Sequence, residues 1–239
     1  YARKGCLRDN LNTLANINWK DKLNLLQCIA LDLQIIHSQE LIHRDLHSGN
    51  ILLNSFKSAY IADLGLSITA NIELKSKSYE ICGILPYIAP EVLSEQQYII
   101  KSDIYSFGII MWEILYGRPV PNGMISEIQF QLEVCDGLRP PIDESIAMSY
   151  SDLMKKCWHA EPEERPTAEE IYDFFAEWQV NENILSELSE FDKNLQNIKN
   201  DDMQVFNYSH YKSSFILSNS GRKYRGNYKF NFLINYIIL

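Results

Sequence analysis

Apolar positions along this chain recur mainly three and four residues apart, the spacing of one face of an α-helix. Residues 7–14 and 23–38 show it. In the second segment Leu23, Leu26, Ala30, Leu33 and His37 fall on one stripe, with Ile29 and Ile36 beside it. His37, like His159 later, is expected to be an ordinary packing or surface residue. Leu41-Ile42 is a short buried run. Ile51-Leu52-Leu53 and Tyr60-Ile61-Ala62 flank a polar turn at 54–58 and predict a small β-hairpin. Residues 101–116 are almost wholly apolar apart from the first turn and Glu113, which predicts a buried central helix. It should end near Gly117, because Pro119 and Pro121 cannot continue it. Three more helices are predicted over 126–135, 149–158 and 167–178, the last opened by Thr167 as N-cap with Glu170 three residues on. Strands do not alternate with helices and no repeat is present, so the expectation is a mainly α domain over residues 1–180. Beyond Val180 the composition turns to Asn, Ser, Lys and Tyr. One helix over about 183–200 and then a partly helical or disordered tail to residue 239 are expected.

A chain of 239 residues with 46% hydrophobic content is long enough to bury a sizeable core. Its net charge of −9 and pI near 5.1 argue against nucleic acid and a polybasic membrane anchor as partners. The acidic run at 161–170 reads as a solvated face. Five cysteines without a C-x-x-C pair are the pattern of reduced thiols, pointing to an intracellular, cytoplasmic setting. No secretory signal opens the chain, and the apolar run at 230–239 is too short for a membrane span. The chain starts at Tyr1, without Met, in what reads as a loop; the expectation is a fragment or truncated product.

The chemistry concentrates in His43-Arg44-Asp45-Leu46-His47-Ser48-Gly49-Asn50, which sets an Asp and an Asn five positions apart. Asp63-Leu64-Gly65 begins thirteen residues after Asn50, and Ala89-Pro90-Glu91 follows. Phosphoryl transfer needs one carboxylate beside the attacking hydroxyl and oxygen ligands for Mg²⁺. The spacing matches H-R-D-x-x-x-x-N, and the three ordered motifs together resemble the protein kinase family. His43 and His47, four apart, could alternatively offer two imidazoles to zinc. No Glu follows His43, however, and Gly49 is a poor helix resident.

The resemblance covers about three quarters of the chain and implies the helical C-terminal lobe of a kinase, with a small β-hairpin near the catalytic loop and the N-terminal lobe missing. It implies ATP and Mg²⁺ as cofactors and a protein as substrate. Asp45 would accept the substrate hydroxyl proton, with Arg44 and His47 beside it in the catalytic loop. Asn50 and Asp63 would hold the metal, and Cys6 and Leu52 would border the nucleotide. Cys6 would lie at the hinge exit, either accessible to electrophiles or an inert thiol. His43, Glu91, Asp103 and Arg165 would be structural: Glu91 paired with Arg165, and Asp103 holding the catalytic-loop backbone or complementing its own helix dipole. Leu64 stands where the family usually has Phe. In the activation segment Glu80 occupies the place of an activating phosphate and would pair with Arg44, with Ser76, Ser78 and Tyr79 as alternative acceptors.

Two departures bear on substrate. His47 stands where Ser/Thr kinases have Lys, and Ile84 where they have Thr, yet the Arg and Trp signatures of tyrosine kinases are absent too. Pro86-Tyr87-Ile88 resembles the Ser/Thr or tyrosine-kinase-like group. The 239 residues hold no glycine-rich loop and no Val-Ala-Ile-Lys strand, so the alternative expectation is a catalytically inactive, pseudokinase-like interaction module.

Overall fold

The computed structural model describes residues 2–70, 81–121, 126–143, 146–198 and 213–216. Glu80, Ser76, Ser78 and Tyr79, and the apolar run at 230–239, lie outside the described residues.

Helix α4 (Ile100–Tyr116) is the centre of the molecule, with fourteen consecutive buried residues from Ser102 to Leu115. Around it lie α1 (Leu11–Ala15), α2 (Trp19–Ser38) and α3 (Pro90–Glu95). The chain closes the bundle with α5 (Glu127–Cys135), α6 (Met148–Cys157), α7 (Ala168–Trp178) and α8 (Glu182–Ile198). The stripe read from sequence is the buried one: Leu23, Leu26, Ile29, Ala30 and Leu33 are fully buried. Helix α2 nevertheless starts at Trp19, because the Asn18 side chain accepts a hydrogen bond from Asp21 N–H and caps it there. The expected 7–14 helix is broken into a 3₁₀ turn, Arg8–Asn10, and the short α1.

Helix α4 stops at Gly117, whose backbone is left-handed (φ +69°). A Cβ there would stand 2.6 Å from that of Ala15, so this glycine also lets α1 pack closely on the helix end. Thr167 and Glu170 form the reciprocal capping box of α7. Leu188 and Phe191 of α8 are buried in the common core, and Glu187 accepts hydrogen bonds from Met148 N–H and Ser149 Oγ. The packed body thus continues past residue 180.

The strands are short and antiparallel. Hairpin β2 (Ile51–Ser55) and β3 (Ser58–Ile61) has its turn at Phe56-Lys57 and is tied to α2 where Asp32 accepts Ile61 N–H at 2.9 Å. The Lys4–Leu7 segment lies along β2 through hydrogen bonds from Lys4 and Leu7 to β2 carbonyls and from Leu53 N–H to Gly5 O. Strand β1 (Leu41–Ile42) pairs with β4 (Ile68–Thr69). Strand β4 was not foreseen, nor were β5 (Ile81–Gly83) and β6 (Ser214–Ile216), which pair with each other, so part of the expected irregular tail is an ordered strand docked on the domain.

Candidate active site

The loop between β1 and β2 carries the candidate site, and its backbone is strained at one point. Arg44 adopts φ +70°, a conformation disfavoured for a side-chain-bearing residue. Asp103, at the start of α4, holds it there: Oδ2 accepts His43 N–H at 2.8 Å and Oδ1 accepts Arg44 N–H at 3.1 Å. His37 Nε2 lies 2.9 Å from Asp103 Oδ2. His37 is therefore part of the support for this loop, not the ordinary packing residue expected of it. The Arg44 guanidinium lies over the Tyr98 ring, 4.6 Å from its centroid.

His43 ties the loop to the Asp63 segment. Its Nδ1 accepts Asp45 N–H and its Nε2 donates to Ala62 O at 3.0 Å, which fixes the tautomer. Asn50 closes the other side. Its amide Nδ2 donates to Asp45 O (2.9 Å) and, at 3.4 Å, to Asp45 Oδ2, while its own carbonyl accepts Ala62 N–H. Asp63 thus follows directly on a residue bonded to both His43 and Asn50. Asp63 is exposed, left-handed at φ +62°, and accepts Gly65 N–H through Oδ1. Leu64 beside it is half exposed.

Asp45 is nearly buried, and the structure surrounds its carboxylate with donors. Burial pushes its pKa up, but hydrogen bonding from His47 and Ser213 outweighs this and holds it below the usual value. His47 Nδ1 accepts N–H groups from Gly49 and Asn50 and lies 3.1 Å from Arg8 Nη2. The ring proton is consequently on Nε2, which faces Asp45 Oδ2 at 3.6 Å and Ser213 Oγ at 3.2 Å. Ser213 Oγ itself lies 2.9 and 2.8 Å from the two Asp45 oxygens. Sequence reasoning missed Ser213, since nothing in Lys212-Ser213-Ser214-Phe215-Ile216 marks it. These ring contacts also set both histidines apart from a zinc role; among the described residues no three His, Cys, Asp or Glu side chains cluster to hold a metal.

Cys6 and Leu52 face each other across an isolated antiparallel bridge. Burial, with a hydrogen bond to Asp9, pushes the Cys6 thiol up, which disfavours the reactive thiolate. Glu91 and Arg165 form a bidentate pair at 2.8 and 2.7 Å. Arg165 is fully buried and also donates to the carbonyls of His159 and Lys101, while Ser102 Oγ donates to Glu91.

Glu113, the polar exception in the central helix, is buried beneath Ser48 and Tyr87. Tyr87 Oη donates to it at 2.6 Å and in turn accepts from Ser48 Oγ at 2.9 Å. Burial pushes its carboxyl up to about 7, against the hydrogen bond from Tyr87 that favours the ionised form. Its contribution to stability is whole below the unfolded-chain value of 4.5 and is lost as pH rises through about 7. Between pH 5 and 8 the chain should lose up to about 3 kcal/mol that a Glu113→Gln variant keeps. Urea unfolding of both proteins across that range measures it; parallel curves would contradict it.

The chain belongs to the protein tyrosine and serine/threonine kinase family, whose model matches residues 1–175. It is 36% identical over 174 residues to a protein of Acanthamoeba polyphaga mimivirus named as a serine/threonine-protein kinase/receptor, a stretch covering 72% of this chain and 10% of that protein. A serine/threonine-protein kinase of Dictyostelium discoideum is 34% identical over 175 residues, 72% of this chain and 16% of that protein. A serine/threonine/tyrosine-protein kinase of Arabidopsis thaliana is 34% identical over 169 residues, 70% of this chain and 43% of that protein. The matched stretch thus spans less than half the length of each of these relatives. No helix among the described residues is long and apolar enough to cross a membrane.

Proposed function

We propose that Asp45, Asn50 and Asp63 form the phosphoryl-transfer centre of a kinase that moves the γ-phosphoryl of ATP to Ser or Thr hydroxyls of protein substrates. One observation carries the reading: a buried carboxylate with both oxygens on a seryl hydroxyl, in a loop fixed from three sides by Asp103, His43 and Asn50. A carboxylate so placed orients the attacking oxygen and receives its proton. The lowered pKa of Asp45 keeps it ionised at neutral pH. His47 offers its Nε2–H to the same oxygen, in the place where a Lys stands in many Ser/Thr kinases.

The residues present fit Mg²⁺. The amide nitrogen of Asn50 is committed to Asp45, which turns its oxygen the other way. Asp63 is exposed and uses one oxygen on Gly65, leaving an oxygen for a cation. Mg²⁺ takes one or two protein oxygens and completes its shell with phosphates and water, so a full cage of side chains is not required. When bound, it would neutralise charge on the transferring phosphates.

The 239-residue chain alone is expected to turn over well below the ~1–100 s⁻¹ usual for kinases, because its sequence carries no glycine-rich loop to align the phosphates. The full-length gene product, given Mg-ATP and a basic protein, should phosphorylate Ser or Thr, and Asp63→Ala should abolish the transfer. Full activity in Asp63→Ala would remove the metal role from that residue. Phosphate found on Tyr alone would overturn the acceptor class.

A further inference from the structure

Strand β6 returns from the far end of the chain to the mouth of the candidate site. It pairs antiparallel with β5 in the register Ile81 to Ile216, Cys82 to Phe215 and Gly83 to Ser214. Ile216 is buried in the core, which anchors the strand, whereas Ser213 and Ser214 are exposed. The next residue out from the ladder is Ser213, and it meets Asp45. Gly83, opposite Ser214, has φ +146°, a backbone conformation that side-chain-bearing residues rarely adopt, and it lies against Asp45 and Ile88. Adding a strand to an exposed edge is a general way to bind an extended peptide, with main-chain bonds giving affinity and side chains giving register.

We propose that β6 occupies the groove of an extended acceptor peptide, and that Ser213 is itself a phosphoacceptor of this site. The proposal rests on the kinase reading above. Ser213 lies on Asp45 of the same chain, so the segment meets its own domain. Ser213 Oγ points its proton at Asp45 and receives the His47 Nε2–H, which leaves a lone pair for attack. Ser213 Oγ bonds to the γ-phosphorus of ATP as the bond from that phosphorus to the β,γ-bridging oxygen breaks. ADP leaves, and the hydroxyl proton passes to Asp45. The product carries close to two negative charges against the Asp45 carboxylate, so β6 is then repelled and the groove opens to other substrates.

Two measurements test this. In the full 239-residue chain, amides of residues 81–83 should exchange with deuterium at least tenfold more slowly than in Ile216→Asp, which expels the anchor. Ser214→Pro, which takes an N–H out of the strand and leaves the core untouched, should give the same release. Equal exchange in wild type and Ser214→Pro overturns the docked strand. In the dephosphorylated full-length gene product, Mg-ATP should place phosphate on Ser213 at a rate unchanged by tenfold dilution and abolished by Asp45→Asn. Phosphorylation of a basic protein with Ser213 unmodified overturns the acceptor role and leaves the kinase reading standing. No phosphate on any acceptor overturns the kinase reading, and the role of Ser213 falls with it.

Discussion

Asp45→Asn in the full-length gene product is expected to lower kcat for protein substrate by about 10²–10⁴-fold, the usual loss when a positioned acid–base group is removed. The substitution keeps the size of the side chain and an oxygen that can accept from Ser213 or His47. What it removes is the negative charge and the ability to take the hydroxyl proton. The shorter supports of the loop bypass the Asp45 carboxylate: Asp103 holds His43 and Arg44 through their N–H groups, His43 accepts the Asp45 N–H, and Asn50 donates to the Asp45 main-chain carbonyl at 2.9 Å, against 3.4 Å to the carboxylate. The far-ultraviolet circular dichroism and the unfolding midpoint should therefore stay close to those of the wild type. Steady-state kinetics with Mg-ATP and a basic protein provide the check. A variant with more than a tenth of wild-type kcat would show that Asp45 does not receive the proton.

Breaking the Glu91–Arg165 pair is expected to cost about 3–5 kcal/mol of stability from either side, the range for removing one partner of a buried ion pair. Arg165 is fully buried, and the pair spans 74 residues of sequence, joining the first turn of α3 to the turn before α7. In Glu91→Ala the guanidinium keeps only carbonyl acceptors and loses its counter-charge. In Arg165→Ala the carboxylate keeps Ser102, and the carbonyls of His159 and Lys101 lose a donor. Arg165→Lys should recover little, since an ammonium cannot reproduce the two-pronged contact. Urea unfolding monitored by tryptophan fluorescence measures each variant. The double Ala variant should lose less than the sum of the singles, because both remove the same interaction. Additive losses would mean that the pair contributes nothing as a pair.

The history of individual residues shows where sequence reading reaches and where it stops. The α2 stripe, the end of α4 at Gly117 and the Thr167–Glu170 cap were legible because each is a local rule of spacing or backbone geometry. Helix α2 began four residues early because a cap outweighed the weaker pattern at Trp19–Lys22. Helix α3 and strands β4, β5 and β6 were not foreseen; each is six residues or fewer, too short to display a period. His37 looked like one more member of the helix stripe, yet its partner Asp103 lies 66 residues away. The contact of Glu91 with Arg165 was reached only through family resemblance, since neither residue carries a local sign of the other.

What the sequence determined by itself is the set of groups available for chemistry, Asp45, Asn50 and Asp63, and the helices that carry the core. Those features depend on spacings of a few residues, which the backbone converts directly into a shared face or a shared loop. The tertiary structure alone decided which distant groups complete the site: His37 on Asp103 beneath the strained Arg44, Glu113 under Ser48 and Tyr87, and Ser213 on Asp45 across 168 residues. Such contacts form only when the whole chain has paid the entropy of closing long loops and buried Ile216 and its neighbours. That balance belongs to the folded molecule, and no window of sequence contains it.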